Sequence, residues 1–201
     1  MSYPRLQISE ADRALCAEHA RRMCAGAKTR NFKHGTLQGE EVYTIGKIGE
    51  FAAGKWLKEL GVAILHKPFR ASYQFFHPDD DFIIEVAGQH RQLEIRTKAR
   101  NVDPRPDFDC CSDCIKPHLT YVFVSYNRKT AEAAIVGFAN EALMRRKTRP
   151  VLRGAGNCNF SHKANEYNIT IGDLTDPQWF VPSMCLPAQE AEAKVNGEYV
   201  W

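Results

Sequence analysis

The sequence predicts an α/β protein in which helices flank a mixed β-sheet. Residues 44–60 repeat apolar side chains at the spacing of an amphipathic helix. The runs DFIIEV (81–86) and QLEIRTK (92–98) have the composition of strands, and the turn between them contains Gly88, which is typical of a hairpin. The run LTYVFVSY (119–126) is strongly apolar, as expected of a central strand.

The overall composition is that of a globular protein with one sizeable core. The chain has 201 residues, and none of its apolar runs approaches the roughly 20 residues of a membrane helix. Its beginning lacks the apolar segment of a signal peptide, so we expect a cytoplasmic location and no membrane partner. We expect a basic N-terminal helix and loop (1–43), a core with Cys/His-rich loops at 109–118 and 154–162 (44–180), and a tail (181–201).

The N-terminal region is predicted to form one helix followed by a loop. Ser9 is a suitable N-cap for a helix that ends near residue 25, and Asp12 stands at the capping-box position. Residues 28–41 are polar and contain glycine, which favours a loop.

The helix over 44–60 is unusually rich in small residues. Thr44 can cap it and Gly61 can end it. Its small residues are Gly46, Gly49, Ala53 and Gly54. Each glycine costs a helix about 1 kcal/mol relative to alanine, a cost that is tolerable if the helix must pack closely on another element.

The second half of the chain is predicted to add short elements. A fourth strand covers 133–137, a short helix covers 140–146, and a last strand covers 167–171. Residues 189–201 look like a loose or helical tail.

Two local clusters of positive charge favour a nucleic-acid partner. Net charge is only +3, but phosphate-binding surfaces need local density rather than a high total. The first cluster is Arg21, Arg22, Lys28, Arg30 and Lys33, and the second is Arg145, Arg146, Lys147, Arg149 and Arg153. The alternative is that each cluster is a solvated charged face.

The run QLEIRTK places one carboxylate and two cations on one face of a strand. Side chains alternate along a strand, so Glu94, Arg96 and Lys98 share a face. Asp81 begins the preceding strand, where its carboxylate can converge with Glu94 on a divalent cation. Phosphodiester hydrolysis uses such a cation to polarise the phosphate and activate water, and a nearby cation can offset the developing charge.

These acidic residues also have ordinary interpretations. Asp79 and Asp80 follow a proline and suit a turn, or they could replace Asp81 as ligands. Glu94 could form a surface ion pair with a neighbouring cation, worth about 1 kcal/mol or less. Glu50 could be a solvated helix glutamate.

The run DDDFIIEVAGQHRQLEIRTK resembles the motif of the PD-(D/E)XK, or restriction-endonuclease-like, nucleases. In that superfamily an acidic residue begins one strand, and the next strand carries a (D/E)-x-K signature that is often followed by threonine. Upstream, IGEFAAGKWL resembles the family's G-E-x-A-A helix. Downstream, TYVFVSYN and AAIVGFANEAL resemble the following strand pair and short helix, so the resemblance covers roughly residues 44–175.

The resemblance implies a restriction-endonuclease-like fold and a Mg²⁺- or Mn²⁺-dependent DNA endonuclease that leaves a 5′-phosphate. Asp81 and Glu94 would bind the metal, and Glu50 would help directly or through a water molecule. Lys98 or Arg96 would position the nucleophile or stabilise the transition state. Many nucleases of this fold dimerise to cut two strands, so the resemblance also allows a homodimer. The sequence itself contains no pattern that indicates a dimer interface.

One position departs from the family pattern. Arg96 stands where the lysine of the signature is expected, and an arginine stays protonated and cannot act as a base. Lys98, on the same predicted face, could stand in for it. The alternatives to an active nuclease are a catalytically inactive DNA-binding protein of the same fold and a zinc-stabilised protein-interaction module.

A Cys/His cluster favours a structural Zn²⁺ site. Cys111 and Cys114 have C-x-x-C spacing, and Cys158 and His162 have C-x-x-x-H spacing. Three thiolates and one imidazole form a common tetrahedral zinc set. Such a site would order the basic run RRKTRPVLR against the DNA backbone.

Other interpretations of the cysteines stay open. Cys110 and His118 are competing ligands, and the whole group could be free cysteines in polar loops. An iron–sulfur cluster needs four well-placed cysteines, and no protease-like signature supports a Cys–His nucleophile. Cys16, Cys24 and Cys185 are interpreted as core or surface residues.

Overall fold

The computed structural model describes residues 3–26, 39–66, 81–101, 107–111, 115–150 and 166–185. In chain order its strands and helices are β1 (Arg5–Gln7), α1 (Glu10–Gly26), α2 (Gly39–Glu59), β2 (Ala63–His66), β3 (Phe82–Val86), β4 (Gln89–Arg100), β5 (Asp107–Cys111), β6 (Leu119–Asn127), β7 (Glu132–Asn140), α3 (Glu141–Lys147), β8 (Arg149–Pro150), β9 (Glu166–Thr170) and α4 (Phe180–Met184). The predicted class, a mixed α/β protein with helices around a mixed sheet, is confirmed.

Six of the strands form one sheet in the order β1-β7-β6-β4-β3-β2, and β5, β9 and β8 form a second, three-stranded sheet. Neighbouring strands are antiparallel except β4 and β6, which are parallel. A parallel pair needs a crossover connection, and the crossover from β4 to β6 contains β5. In the strand order, β4 lies between β3 and β6 and is an interior strand of the large sheet.

Helix α1 begins where the sequence predicts it. The Ser9 backbone N–H donates to Asp12 Oδ2, and the Asp12 backbone N–H donates to Ser9 Oγ, both at 3.1 Å. This reciprocal pair is a capping box in which aspartate takes the place of glutamate. It satisfies backbone donors at the start of the helix directly after β1.

Helix α2 begins at Gly39 and not at Thr44, so the predicted start is wrong, and so is the predicted loop over residues 39–41. The rest of that predicted loop, residues 28–38, lies outside the described residues. Glu40 and Glu41 lie in the first turn, where negative side chains interact favourably with the helix dipole. Thr44 is inside the helix, and its Oγ1 donates to the Glu40 carbonyl. Neither α2 nor any other helix in the described ranges is long and apolar enough to cross a membrane.

The predicted hairpin forms between β3 and β4. Val86 pairs with Gln89, so the turn consists of Ala87 and Gly88, with φ values of 50° and 72°. Two left-handed residues in succession are typical of the hairpin turn whose twist matches that of the strands. Asn140 is the N-cap of α3, since its Oδ1 accepts the Leu143 N–H at 2.8 Å.

Strands β1, β2 and β5 were not predicted. β1 and β2 are three and four residues long and lie at the two edges of the large sheet, so neither has a long alternating pattern. Residues 109–111 were assigned to a Cys/His-rich loop, but they belong to β5. Its strand conformation is held by pairing with β9, a contact that is remote in sequence.

The large sheet has a hydrophobic core on each face. Strand β4 contributes Leu93 and Ile95 to the first core, together with apolar residues of α1, α2 and α4. Glu94 lies opposite Tyr121 of β6, and the Arg96 guanidinium lies over the Tyr121 ring. Since Tyr121 belongs to the second core, beside α3 and the small sheet, the predicted alternation along β4 is confirmed.

Helix α2 packs closely on β4 at Gly49. A β-carbon at Gly49 would lie 1.7 Å from Thr97 Oγ1 and 2.8 Å from Thr97 Cβ. A larger residue at this position would therefore push the helix away from the sheet. Gly46, in the same helix, has open space where its β-carbon would be. The close packing suggested by the small residues is thus required at Gly49, and it carries Glu50 to the sheet.

The two glycines should respond oppositely to alanine. Gly49→Ala should lower the free energy of unfolding by about 1–3 kcal/mol because of the clash with Thr97. Gly46→Ala should raise it by about 0.5–1 kcal/mol, because alanine favours the helix and meets no obstacle. Urea unfolding of both variants measures the difference, and equal effects would contradict the packing described here.

Candidate active site

Asp81 lies at the point where β3 begins beside β4. Its backbone N–H donates to the Leu93 carbonyl at 3.0 Å, and its Oδ2 accepts the Ile95 N–H at 2.7 Å. Phe82 pairs with Leu93 as the first residue of β3, so β4 extends beyond the start of β3. The Asp81 carboxylate is therefore held against the β4 backbone next to Glu94.

Glu94 and Arg96 form an ion pair on one face of β4. Arg96 Nη2 lies 3.3 Å from Glu94 Oε1, and both side chains are partly exposed. The Arg96 guanidinium carbon also lies 5.7 Å from the centroid of the Tyr121 ring. The cation at the signature position is thus engaged with the proposed metal ligand itself.

Glu50 enters the site from α2 together with a lysine that the sequence analysis did not single out. Lys47 Nζ lies 2.5 Å from Glu50 Oε2. Both residues are buried, with only 5% of Lys47 and 8% of Glu50 exposed. The available signal was their spacing, because residues three apart share one face of a helix.

Asp81 and Glu94 both lie within electrostatic range of Glu50. Burial is the largest cause that raises the pKa of Glu50, to about 8, and the Asp81 charge acts in the same direction. Lys47 lowers the pKa through its charge and its hydrogen bond, and the Glu94 charge raises it. The convergence of Glu50, Asp81 and Glu94 on one metal ion stays a prediction.

The three carboxylates are neighbours, but they are not arranged as a preformed ligand set. Among the described residues, no group of three or more His, Cys, Asp or Glu side chains is placed to hold a metal ion. Each carboxylate instead has a partner: Lys47 for Glu50, the Ile95 N–H for Asp81, and Arg96 for Glu94. The donor type nevertheless suits Mg²⁺ or Mn²⁺, which prefer carboxylate oxygens and water.

Lys98 lies on the same strand as Glu94 but further along it. A strand rises about 3.3 Å per residue, so the Lys98 backbone is about 13 Å from that of Glu94. Lys98 pairs across the ladder with Ser125 and is partly buried. Asp79 and Asp80, named as substitutes for Asp81, lie outside the described residues.

The first basic cluster lies at the exposed end of α1 and is paired with acids. Arg21 and Arg22 both form ion pairs with Glu18, and Arg21 Nε also lies 3.7 Å from Glu40 Oε1. Lys28 and Arg30 lie outside the described residues. The described part of this cluster therefore has a locally balanced charge.

The second basic cluster occupies the end of α3. Arg145 pairs with Glu141 at 2.9 Å and donates to the Ile115 carbonyl. Lys147 Nζ lies 3.8 Å from Asp173 Oδ1, and Arg146 is exposed. The backbone of Arg149 is in β8, and its side chain lies outside the description.

Most of the predicted zinc ligands cannot be placed. Cys114, Cys158 and His162 lie outside the described residues, as does the side chain of Cys111. The backbone of Cys111 is in β5, opposite Glu166 of β9. The competing side chain of Cys110 is likewise outside the described part.

The three remaining cysteines are free thiols in the positions expected of core or surface residues. Cys16 is fully buried, Cys24 is half-buried and Cys185 is exposed. His118, the competing zinc ligand on the histidine side, has a left-handed φ of 66°, and its N–H donates to Glu141 Oε2 at 3.2 Å.

Comparisons with family models, with curated proteins and with solved structures give no match to this chain. Any functional conclusion therefore depends on the chemistry of Glu50, Asp81 and Glu94 and on the elements that hold them.

Replacing Glu50 with glutamine should remove a defined pH dependence of stability. Between the ordinary carboxyl pKa of 4.5 and about 8, the folded chain keeps a proton on Glu50 that the unfolded chain has released. The free energy of unfolding of the parent should therefore fall as pH rises through this window when divalent metal is chelated. Glu50→Gln should lack this contribution.

Urea unfolding of parent and variant between pH 5 and pH 8.5, in EDTA, measures the difference between the two proteins. Glu85→Gln, an exposed change on β3, is the control and should follow the parent. A parent and a Glu50→Gln variant with the same pH profile would mean that Glu50 is not held in this environment.

Proposed function

We propose that the chain is a Mg²⁺- or Mn²⁺-dependent DNA endonuclease with the restriction-endonuclease-like fold of the PD-(D/E)XK nucleases. The observation that carries the proposal is that the Asp81 carboxylate is held against β4 at Ile95, next to Glu94, with Glu50 within electrostatic range of both. Glu50, Asp81 and Glu94 come from a helix, from the residue before one strand and from the middle of the next. Carboxylates are costly to crowd together, and a divalent cation offsets that cost.

The order of the structural elements supports the proposed fold. The resemblance requires a helix with an acidic residue, a hairpin with the two metal ligands, a strand pair and a short helix. The chain has α2, the β3–β4 hairpin, the β6–β7 pair and α3 in that order. The close approach of α2 to β4 at Gly49 also gives the G-E-x-A-A run a physical reason.

The reaction would be hydrolysis of a phosphodiester bond. A bound cation would supply polarisation of the phosphate and an activated water molecule. Asp81 and Glu94 would hold it, with Glu50 bound directly or through water. The water oxygen would form a bond to phosphorus as the bond to the 3′ oxygen breaks, and the proton would pass to that oxygen. The products would be a 5′-phosphate and a 3′-hydroxyl.

The proposed structural zinc site gains support from the pairing of β5 with β9. Cys111 lies opposite Glu166, and His162 precedes Glu166 by four residues in the sequence. Four residues span at most about 14 Å, so the two halves of the Cys/His cluster start from neighbouring strands. Zinc would tie the crossover containing β5 to the segment before β9.

A second function, DNA binding without cutting, is favoured by Arg96. Arg96 pairs with the Glu94 carboxylate and lies over the Tyr121 ring. The signature strand therefore has an arginine in place of the lysine, and this arginine is bound to the predicted metal ligand. An inactive protein of the same fold would have this arrangement as well. The assay that follows separates the two functions.

Purified protein should cut supercoiled and linear DNA in the presence of Mg²⁺ or Mn²⁺. Asp81→Ala and Glu94→Ala should each lower the cutting rate by about 100-fold or more, because each removes a carboxylate that would hold the metal ion at the phosphate. Glu85→Ala, which removes an exposed carboxylate of β3, is the matched control and should cut like the parent.

The remaining outcomes of this assay identify the alternatives. A parent that binds DNA but does not cut with either metal would be the inactive DNA-binding protein. A parent that neither binds nor cuts would favour the zinc-stabilised interaction module.

The basic end of α3 should contribute to DNA affinity but not to recognition of a particular DNA sequence. Replacing Arg146 and Lys147 with alanine should weaken DNA binding equally for unrelated sequences, because these side chains would contact phosphates. The slope of log affinity against log salt concentration should become less steep by about two. Fluorescence anisotropy at several salt concentrations measures both effects. An unchanged slope would show that α3 is not part of the DNA-binding surface.

A further inference from the structure

Lys47 is an unusual residue to find inside a protein. Lysine is seldom buried unless it is paired, and here the ammonium group is buried with Glu50. Because burial raises the pKa of Glu50 to about 8, the carboxyl group beside Lys47 is largely protonated at neutral pH, and even a fully charged buried pair is a weak source of stability. The order is also the less favourable one for an isolated helix, since lysine precedes glutamate. Helix stability therefore gives no reason for this pair.

Helix α1 lies beside the buried pair of Lys47 and Glu50. Burial and the Glu50 charge raise the pKa of Cys16, to about 12, and the Lys47 charge opposes this rise. Burial and the charges of Arg22 and Lys47 lower the pKa of His19. Both residues belong to α1, so α1 packs against the helix face that carries Lys47 and Glu50.

The two cations of the signature strand are less well placed than Lys47. The Arg96 guanidinium is held between Glu94 and the Tyr121 ring. The Lys98 backbone is about 13 Å along β4 from that of Glu94. Lys47 instead contacts Glu50, whose carboxylate is influenced by both Asp81 and Glu94.

We propose that Lys47 is a catalytic residue of the proposed nuclease, and that its ammonium group holds the attacking water and offsets the charge that develops on the scissile phosphate. The helix would then supply the cation that the signature strand lacks. An ammonium group has three N–H donors, so it can contact Glu50 and a substrate oxygen at once. This inference depends on the proposed function, because it assigns a role in the same reaction.

The test compares neutral replacements of Lys47 with a control on the same helix. Lys47→Met removes the charge and keeps an unbranched side chain only one atom shorter, and Lys47→Gln can also share a hydrogen bond with a protonated Glu50. Lys58→Met changes an exposed lysine of α2. Single-turnover plasmid cutting in Mn²⁺ and the affinity for Mn²⁺ alone, followed by electron paramagnetic resonance, are measured for each protein.

The two measurements should move in different directions for the neutral variants. Cutting should fall by about 100-fold or more, as expected when a group that stabilises the transition state is removed. Mn²⁺ should bind at least as tightly as to the parent, because a positive charge has been removed beside three carboxylates. Lys58→Met should match the parent in both measurements.

Several results would overturn the inference. A folded neutral variant that cuts within about threefold of the parent would show that Lys47 takes no part in the reaction. Loss of Mn²⁺ binding in step with cutting, or unfolding of both neutral variants, would show that Lys47 has a structural role. A parent that binds no Mn²⁺ and cuts no DNA would instead refute the proposed function, and the inference with it.

Discussion

The contact between Gly49 of α2 and Thr97 of β4 determines how closely the helix residue of the candidate site approaches its strand residues. Since a β-carbon at Gly49 would clash with Thr97, the helix backbone lies directly against the strand at this point. Glu50 follows Gly49 in the chain and is brought to the sheet with it. At a greater separation, Glu50 would be too far from Asp81 and Glu94 for their charges to influence it.

The site combines three carboxylates with two cations in a region that is only partly open to water. Burial, together with the charges of Asp81 and Glu94, raises the pKa of Glu50, and Lys47 and Arg96 supply positive charge next to Glu50 and Glu94. A cation that bound there would compete with these internal pairs. The same pairs that stabilise the carboxylates would therefore regulate how readily a metal ion is held.

Much of this arrangement could be predicted from local sequence patterns, and the remainder depends on distant contacts. The β3–β4 hairpin and the capping box of Ser9 and Asp12 are encoded by adjacent residues, so they were predicted. Strand β5 exists because of β9, which no local pattern reveals. The burial of Lys47 was missed for a similar reason: a lysine in a helix normally extends into solvent, and its enclosure depends on α1 packing against α2.

The parallel pairing of β4 with β6 and the contact of α2 with β4 also have a consequence for how the chain folds. Both join segments that are distant in sequence, and such contacts form only after a large loss of chain entropy. A partly folded chain can contain α2 and the β3–β4 hairpin as separate units without bringing Glu50 to Asp81. The candidate site therefore forms only once the segments that carry α2 and β4 have been brought together.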